Sequence, residues 1–330
     1  MIKQRIEILK KIEQRRNSKA ILYVTGDRPG LETQIHQEVY DYFVNILDEI
    51  GVVNKISLVL YTRGGNTLAA WSIVNLIRQF CEKFEVIIPN KAQSAGTLMS
   101  IGAHTIVMTK QATLGPVDPS INTPLNPQIE GAPPEAKVPV SVEAVNGFLE
   151  LAKSNMNEPD ANTMKDLIIQ LSHKVHPLVL GEVFRSKSQI QMLSTKLLSK
   201  SGIDDNKIKD IVSFLCSESG SHDYTIHRRE ARDLGLNIEK PNDEFYSEIK
   251  ALYDNFSAEL RLTERWDPIR ELGNNNHITY INKRCLIEST TCKSYYFSTE
   301  GEMRRIQHGQ QVEIQDNRTF EGWKEYEGIS

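Results

Sequence analysis

The chain has 330 residues, 39% of them hydrophobic and 25% charged, with a formal charge of -4. That composition belongs to a folded globular protein and excludes long disordered tracts, while the acidic balance argues against a surface built to neutralise a nucleic-acid backbone, which needs clustered surplus Lys and Arg. The length accommodates one large domain or two of ordinary size, and one main domain with an appendage is expected.

The opening stretch MIKQRIEILKKIEQRR spaces Ile2, Ile6, Ile8, Leu9 and Ile12 among charged residues, as an amphipathic helix would. Residues 1–19 therefore read as a helical arm for packing or partner contact, and lack the apolar core and cleavage site of a secretory signal. Ala20 to Thr25 read as a strand, stopped by Gly26-Asp27-Arg28-Pro29-Gly30. A helix is predicted from Thr33 to Ile50. From Ile56 a unit repeats: strand ISLVLY, turn Arg63 to Thr67, helix LAAWSIVNLIRQFCEKF; then strand Glu85 to Pro89, turn Asn90 to Gln93, helix Ala95 to Gly102 and strand His104 to Thr109. Strands alternating with helices imply parallel connections.

Residues 112–139 are rich in Pro, Asn and Gly and read as an ordered loop beside a site. Helical patterns fill about 141–201 and 204–216, and a turn-rich segment runs from Ser217 to Tyr224. After Asn237 the composition shifts: a helix at 243–260 and alternating stretches such as HITYINKRCLIEST predict a β-rich C-terminal part, residues 238–330, whose task the residues do not name. Cys81, Cys216, Cys285 and Cys292 show no zinc-ligand spacing and read as buried free thiols, so neither metal nor organic cofactor is expected. No apolar run approaches the ~20 residues that span a bilayer, and a cytoplasmic location without a membrane partner is the expectation.

Ser94 stands between a strand and a helix with Ala92, Ala95 and Gly96 around it. A nucleophile on such a turn needs small neighbours, and the helix N-terminus supplies amides to an oxyanion; a plain helix cap is the simpler role for such a serine. Gly64-Gly65 ends a strand one unit earlier, and adjacent glycines let backbone amides face a bound carbonyl. Sites in parallel sheets gather at strand carboxyl ends, which would bring the two turns together.

The segments LVLYTRGGNTLAAWSIVNLI and PNKAQSAGTLMSIGAHTIVMTKQATLGPVDPSI, with RPGLETQIHQEVYDYF before them and SHDYTIHRREARDLGLNI after, resemble the serine dehydrogenase proteinase family, relatives of Clp peptidases and signal-peptide peptidases. The resemblance covers about residues 20–237. It implies an α/β fold, a Clp/crotonase-like superhelix of ββα units with parallel strands, and a Ser, Asp, His triad. Ser94 matches the nucleophile, and the backbone amides of Gly65 and Ala95 match the oxyanion donors. Asp118 matches the acid of GPVDP, with a turn aspartate as its simpler role. His222 matches the base, with a structural turn as its simpler role and His227 as a weaker candidate beside Arg228 and Arg229. The loop ATLGPVDPSI lacks the histidine that Clp peptidases carry there. A Ser-Lys dyad with Lys91, Lys110 or Lys137 is the alternative, Lys137 first for its place downstream of the serine.

The implied activity is peptide-bond hydrolysis through an acyl-enzyme on Ser94, acting on a peptide or unfolded protein. Relatives of the fold form closed rings, so a homo-oligomer is expected. The sequence has no GxxxxGK[ST] motif, so any unfolding ATPase would be a separate protein. A catalytically weak peptide-binding scaffold ranks second, and crotonase-type acyl-thioester chemistry third.

Overall fold

The structure is a computed structural model that describes all residues except 118–119, 156–159, 219–222, 292, 309–310 and 327–330, and leaves the side chains of 120–121, 143, 155, 217–218, 307–308 and 311–312 undescribed. The chain opens with α1 (Ile2–Arg16), β1 (Lys19–Thr25), α2 (Val39–Ile50), β2 (Val53–Tyr61), α3 (Thr67–Ile77), β3 (Cys81–Ile88), β4 (Lys91–Ala92), α4 (Ala95–Ile101), β5 (Thr105–Met108) and β6 (Thr113–Leu114). A helical stretch follows: β7 (Ser120–Ile121), β8 (Val140–Ser141), α5 (Val142–Asn155), α6 (Ala161–Lys174), α7 (Pro177–Leu198) and α8 (Asp205–Ser213), which runs into a π-helical turn at Phe214–Glu218. The chain ends with β9 (Ile226–His227), α9 (Arg228–Asp233), β10 (Ile238–Glu239), α10 (Asp243–Leu260), α11 (Pro268–Leu272), β11 (His277–Ser289), β12 (Tyr295–His308) and β13 (Gln311–Glu325).

Eight strands form one mixed sheet in the order β10-β5-β3-β2-β1-β11-β12-β13. The pairs from β10 to β1 are parallel, and those from β1 to β13 antiparallel. Side chains of the inner strands alternate between two cores. Ile21, Tyr23, Leu58, Leu60, Val86 and Ile88 face the core beneath α2, α3, α4, α7 and α8. Leu22, Val24, Val59, Tyr61 and Ile87 face a second core with α1 and α10. Covered faces on both sides explain why these strands read as unbroken apolar runs. The architecture is thus α/β/α, with a mostly parallel sheet.

A second, small sheet (β4-β6-β9) runs beside the carboxyl ends of the main strands. Thr62, just past β2, continues it through a parallel bridge to Ala92. Main-sheet strand, short second strand and helix thus recur as β2-Thr62-α3 and β3-β4-α4, the expected ββα unit.

Three local expectations change. The predicted helix from Thr33 starts only at Val39, because Ile35 pairs with the glycine turn: its N–H donates to the Gly64 carbonyl at 2.8 Å and its carbonyl accepts from Asn66 N at 2.8 Å. The helix predicted through CEKF ends at Ile77, since Cys81 to Phe84 already pair with β2. The β-rich C-terminal part is not set apart from the sheet; β11 pairs with β1 from Ile21↔Ser289 to Thr25↔Cys285. Cys81, Cys216 and Cys285 are buried and form no disulfide among the described residues, and Cys292 lies outside the described residues.

Candidate active site

Three loops at the carboxyl ends of β1, β2 and β3 meet where the main sheet passes into the small one. Thr25 Oγ1 donates to Thr62 Oγ1 at 2.6 Å, tying the first loop to the second. Thr62 N donates to the Lys91 carbonyl and Gln93 N to the Thr62 carbonyl, each at 3.1 Å, tying the second to the third. The third loop carries Ser94.

Ser94 takes φ 52° and ψ -117°, and its side chain makes no capping bond to α4. The plain helix-cap role is therefore excluded. Positive φ with strongly negative ψ is a sparsely populated region for a residue with a side chain, costing on the order of 1–3 kcal/mol; a sharp strand-to-helix turn of this kind projects a serine hydroxyl outward. Ala95, the first residue of α4, is buried, and its N–H has no partner among the described residues, as the first turn of a helix dictates.

The glycine turn lies against this serine. A β-carbon on Gly64 would stand 2.7 Å from Ser94 Cβ, and one on Gly65 would stand 2.5 Å from Ile35 N; both glycines have positive φ, 117° and 141°. Gly64 N–H is held internally by Thr62 Oγ1 at 2.9 Å. Because Gly64 O and Asn66 N serve the bridge to Ile35, the N–H of Gly65 points to the opposite edge of that extended segment. The Asn66 side chain accepts from Ala69 N at 2.9 Å and caps α3, fixing where the turn ends.

Ser94 opens into a cleft of about 440 Å³ lined by Asp27, Pro29, Arg63, Lys91, Gln93, Asp223 and Leu262. Asp27 accepts from Lys91 Nζ at 2.8 Å and from Tyr61 OH at 2.7 Å. Burial and then the Asp27 carboxylate hold the Tyr61 phenol well above its ordinary value, and Arg63 is near enough to pull it the other way. Leu262 follows α10, so the C-terminal part supplies a wall of the cleft. Arg28 pins that wall, donating to the Glu264 carbonyl at 3.0 Å, to Asn282 at 2.8 Å and to Glu271 at 2.9 Å.

Asp118 and His222 lie outside the described residues, but the segments that carry them can be followed to their nearest neighbours. Gly115 N donates to Thr97 Oγ1 of α4 at 3.0 Å. Val117 N donates to the Leu215 carbonyl at 2.9 Å. A β-carbon on Gly115 would sit 3.4 Å from the Gln93 side chain and 3.6 Å from the Tyr224 carbonyl oxygen. β6 pairs with β9, Leu114 opposite Ile226 and Thr113 opposite His227, and Asp223 lines the cleft itself. His227 is exposed, at the N-terminus of α9. Of the lysines, Lys91 lines the cleft, bound to Asp27; Lys137 is half-buried in a hairpin bridge to Gln128, and Lys110 lies over the Tyr246 ring. Neither of these two is among the described lining residues. Among the described residues no three His, Cys, Asp or Glu side chains gather as a metal site, and no helix is long and apolar enough to cross a membrane.

Sequence reasoning missed Asp27, Arg63 and Leu262 as cleft residues. Asp27 sits in a breaker-rich segment whose turn role hid its carboxylate, and Leu262 is separated from Ser94 by more than half the chain.

The sequence pattern of the ClpP-like SDH-type serine proteinases matches residues 1–132, which contain the glycine turn and Ser94. Residues 1–132 are thus similar to that family. Two uncharacterised proteins of Methanocaldococcus jannaschii are similar beyond this segment. One is 27% identical over 267 residues, 76% of this chain and 78% of its own length; the other is 26% identical over 246 residues, 72% of each chain. Similar solved structures include a serine-to-alanine mutant of the 1510-N membrane-bound stomatin-specific protease, at 18% identity and TM-score 0.39, covering 70% of this chain and 85% of that one. ClpP1 from Listeria monocytogenes is similar at 14% identity and TM-score 0.35, covering 71% of this chain and 98% of that one. The ββα units seen here agree with the similarity of residues 1–132 to the ClpP-like family.

Proposed function

We propose that this chain is a serine peptidase that cleaves peptide bonds through an acyl-enzyme on Ser94, within a homo-oligomer. The observation that carries the reading is the backbone of Ser94, held at φ 52° with its hydroxyl left uncapped at a cleft. A helix cap has no use for that conformation, whereas a nucleophile does. The similarity of residues 1–132 to a serine proteinase family supports it.

In this reading Ser94 Oγ attacks the peptide carbonyl, whose developing oxyanion is met by the N–H groups of Ala95 and Gly65. His222 takes the serine proton and returns it to the leaving amine, and Asp118 orients the imidazole and stabilises its charged form. Water then hydrolyses the acyl-enzyme. Support for these partners comes from their chain neighbours, since Gly115 lies against both the Gln93 side chain beside the serine and the Tyr224 carbonyl. For the dyad alternative, an ammonium that donates to Asp27 offers no lone pair to Ser94, so Lys91 would have to leave its ion pair first; Lys137 would have to reach the cleft from its hairpin. The homo-oligomer is supported by α6, a helix with Leu167, Ile168 and Ile169 and no buried residue. A separate ATPase would deliver folded substrates, and the cytoplasm remains the proposed location.

The test is labelling by a fluorophosphonate probe across pH 5.5 to 9. Wild type should label, and Ser94→Ala should not. His222→Ala and Asp118→Asn should label at least ~100-fold more slowly if the triad operates, whereas selective loss in Lys137→Ala or Lys91→Ala would favour the dyad. A folded wild type that does not label would leave a peptide-binding scaffold as the better reading.

A further inference from the structure

Four charged side chains line the Ser94 cleft: Asp27, Arg63, Lys91 and Asp223. Lys91 and Asp27 satisfy one another at 2.8 Å, and the second Asp27 oxygen is taken by Tyr61 OH at 2.7 Å. Arg63 is different. It is exposed, directly precedes Gly64-Gly65, and lines the same cleft as Ser94. Among the described residues it makes no ion pair or side-chain hydrogen bond. Leu262 and Pro29 are the only apolar residues among the described lining side chains.

A guanidinium presents a planar fork of N–H donors that matches a carboxylate in a bidentate pair. With the Asp27 oxygens already engaged, that fork is open to an incoming acceptor. Asp223 also lines the cleft, and it sits in the chain next to the proposed base. The fork is fixed in the sequence one residue before the glycine turn. A group it holds therefore sits within a residue or two of the carbonyl bound by the oxyanion amides.

The geometry points to Arg63 as a specificity-determining residue that selects substrates bearing a carboxylate close to the scissile bond. The inference rests on the peptidase reading of Ser94 and names the substrate class for it. Two sources supply the same chemistry, an acidic side chain or the α-carboxylate of a chain end, and the test separates them.

Matched fluorogenic peptides carry Glu, Gln or Lys beside the scissile bond, each with a free and an amidated C-terminus. Wild type should cleave the Glu peptide ~3–10-fold better than the Gln peptide in kcat/KM, mostly through KM, with a preference that shrinks as salt is raised. Arg63→Gln should bring the Glu-to-Gln ratio to about one, and Arg63→Glu should turn the preference toward Lys. If the ratio follows the free C-terminus and not the side chain, the α-carboxylate is the recognised group. Binding of the same peptides to Ser94→Ala protein, read by fluorescence anisotropy, repeats the comparison without chemistry. Carboxylate selection that survives Arg63→Gln in both assays, or its absence from wild type in both, overturns the inference. Absence of cleavage and labelling with carboxylate-selective binding intact would instead remove the peptidase reading and leave Arg63 as a recognition residue.

Discussion

At Ser94 the chain stores strain that its neighbours hold in place. The residue before it, Gln93, is bonded to Thr62, and the residues after it enter a buried helix, so φ 52° is imposed from both sides. Glycine tolerates that conformation without its steric cost. Ser94→Gly should therefore relieve roughly 1–3 kcal/mol of strain and lose roughly 0.5–1 kcal/mol to the freer unfolded chain, a net gain of about 1 kcal/mol. Ser94→Ala keeps the β-carbon and should stay within about 0.5 kcal/mol of wild type. Urea unfolding of the three proteins measures this, and a Ser94→Gly variant less stable than Ser94→Ala would remove the strain argument. Both variants should be inert to the fluorophosphonate. The serine, the glycine turn and the small residues around them were legible in the sequence because backbone geometry restricts which residues can stand there. Asp27 and Arg63 were not, since a charged residue in a turn has no periodicity to betray which side chains it will meet.

The same contrast operates at the scale of α1. Its isoleucine spacing announces a helix with one apolar face, and Ile6, Leu9 and Ile12 are buried as that pattern implies. Arg5 is buried as well, which no local pattern announces, because its partners lie some 250 residues away. It pairs with Glu288 of β11 and Glu259 of α10, while Arg16 at the other end pairs with Glu85 of β3 and Glu239. Burial alone would raise Glu85 and Glu259, yet Arg16 with Lys55, and Arg5 with Lys283, outweigh it and hold both below the ordinary glutamate value of 4.5. A carboxyl depressed in the folded state adds stability that is present above its unfolded pKa and is lost as pH falls through the folded one. Glu288 runs the other way: raised by burial, it adds stability as pH falls through its folded pKa toward the unfolded value of 4.5, before the other two begin to lose theirs. Stability to urea should thus not fall between pH 7 and 5, and should decline below about 4.5 as α1 loses its anchors. Glu85→Gln with Glu259→Gln should be less stable at pH 7 and show a flatter acid limb; an unchanged acid limb would mean that other carboxylates govern the decline.

At the scale of the molecule, the parallel connections followed from unbroken apolar strands alternating with helices, a pattern that needs no distant partner to be read, while the ββα repeat was implied by the family resemblance. The pairing of β11 onto β1 did not follow, because nothing local in two apolar strands records that they will be neighbours. The helical stretch between β8 and β9 presents the remaining physical question. α6 buries none of its residues, with Ile168 51% and Ile169 43% exposed, and Phe184 on α7 is 74% exposed. A groove between α5 and α6 lined by Phe148, Leu167 and Leu171 continues the same apolar face. A contiguous apolar surface of this kind marks an interaction site, and a second copy of the chain is the partner that a proposed homo-oligomer supplies. Covering the exposed half of one isoleucine side chain is worth roughly 1 kcal/mol, about a fivefold change in an association constant. Light scattering behind size exclusion should therefore give wild type a mass that is a multiple of one chain, and Ile168→Glu with Ile169→Glu should shift it to the monomer at micromolar concentration. Because both isoleucines are about half exposed and α6 contributes no buried residue to the core, the double variant should unfold in urea as the isolated chain does, at a midpoint independent of its concentration. A variant that dissociates only by unfolding would assign this face to the fold itself, and a monomeric wild type would leave α6 to a different partner.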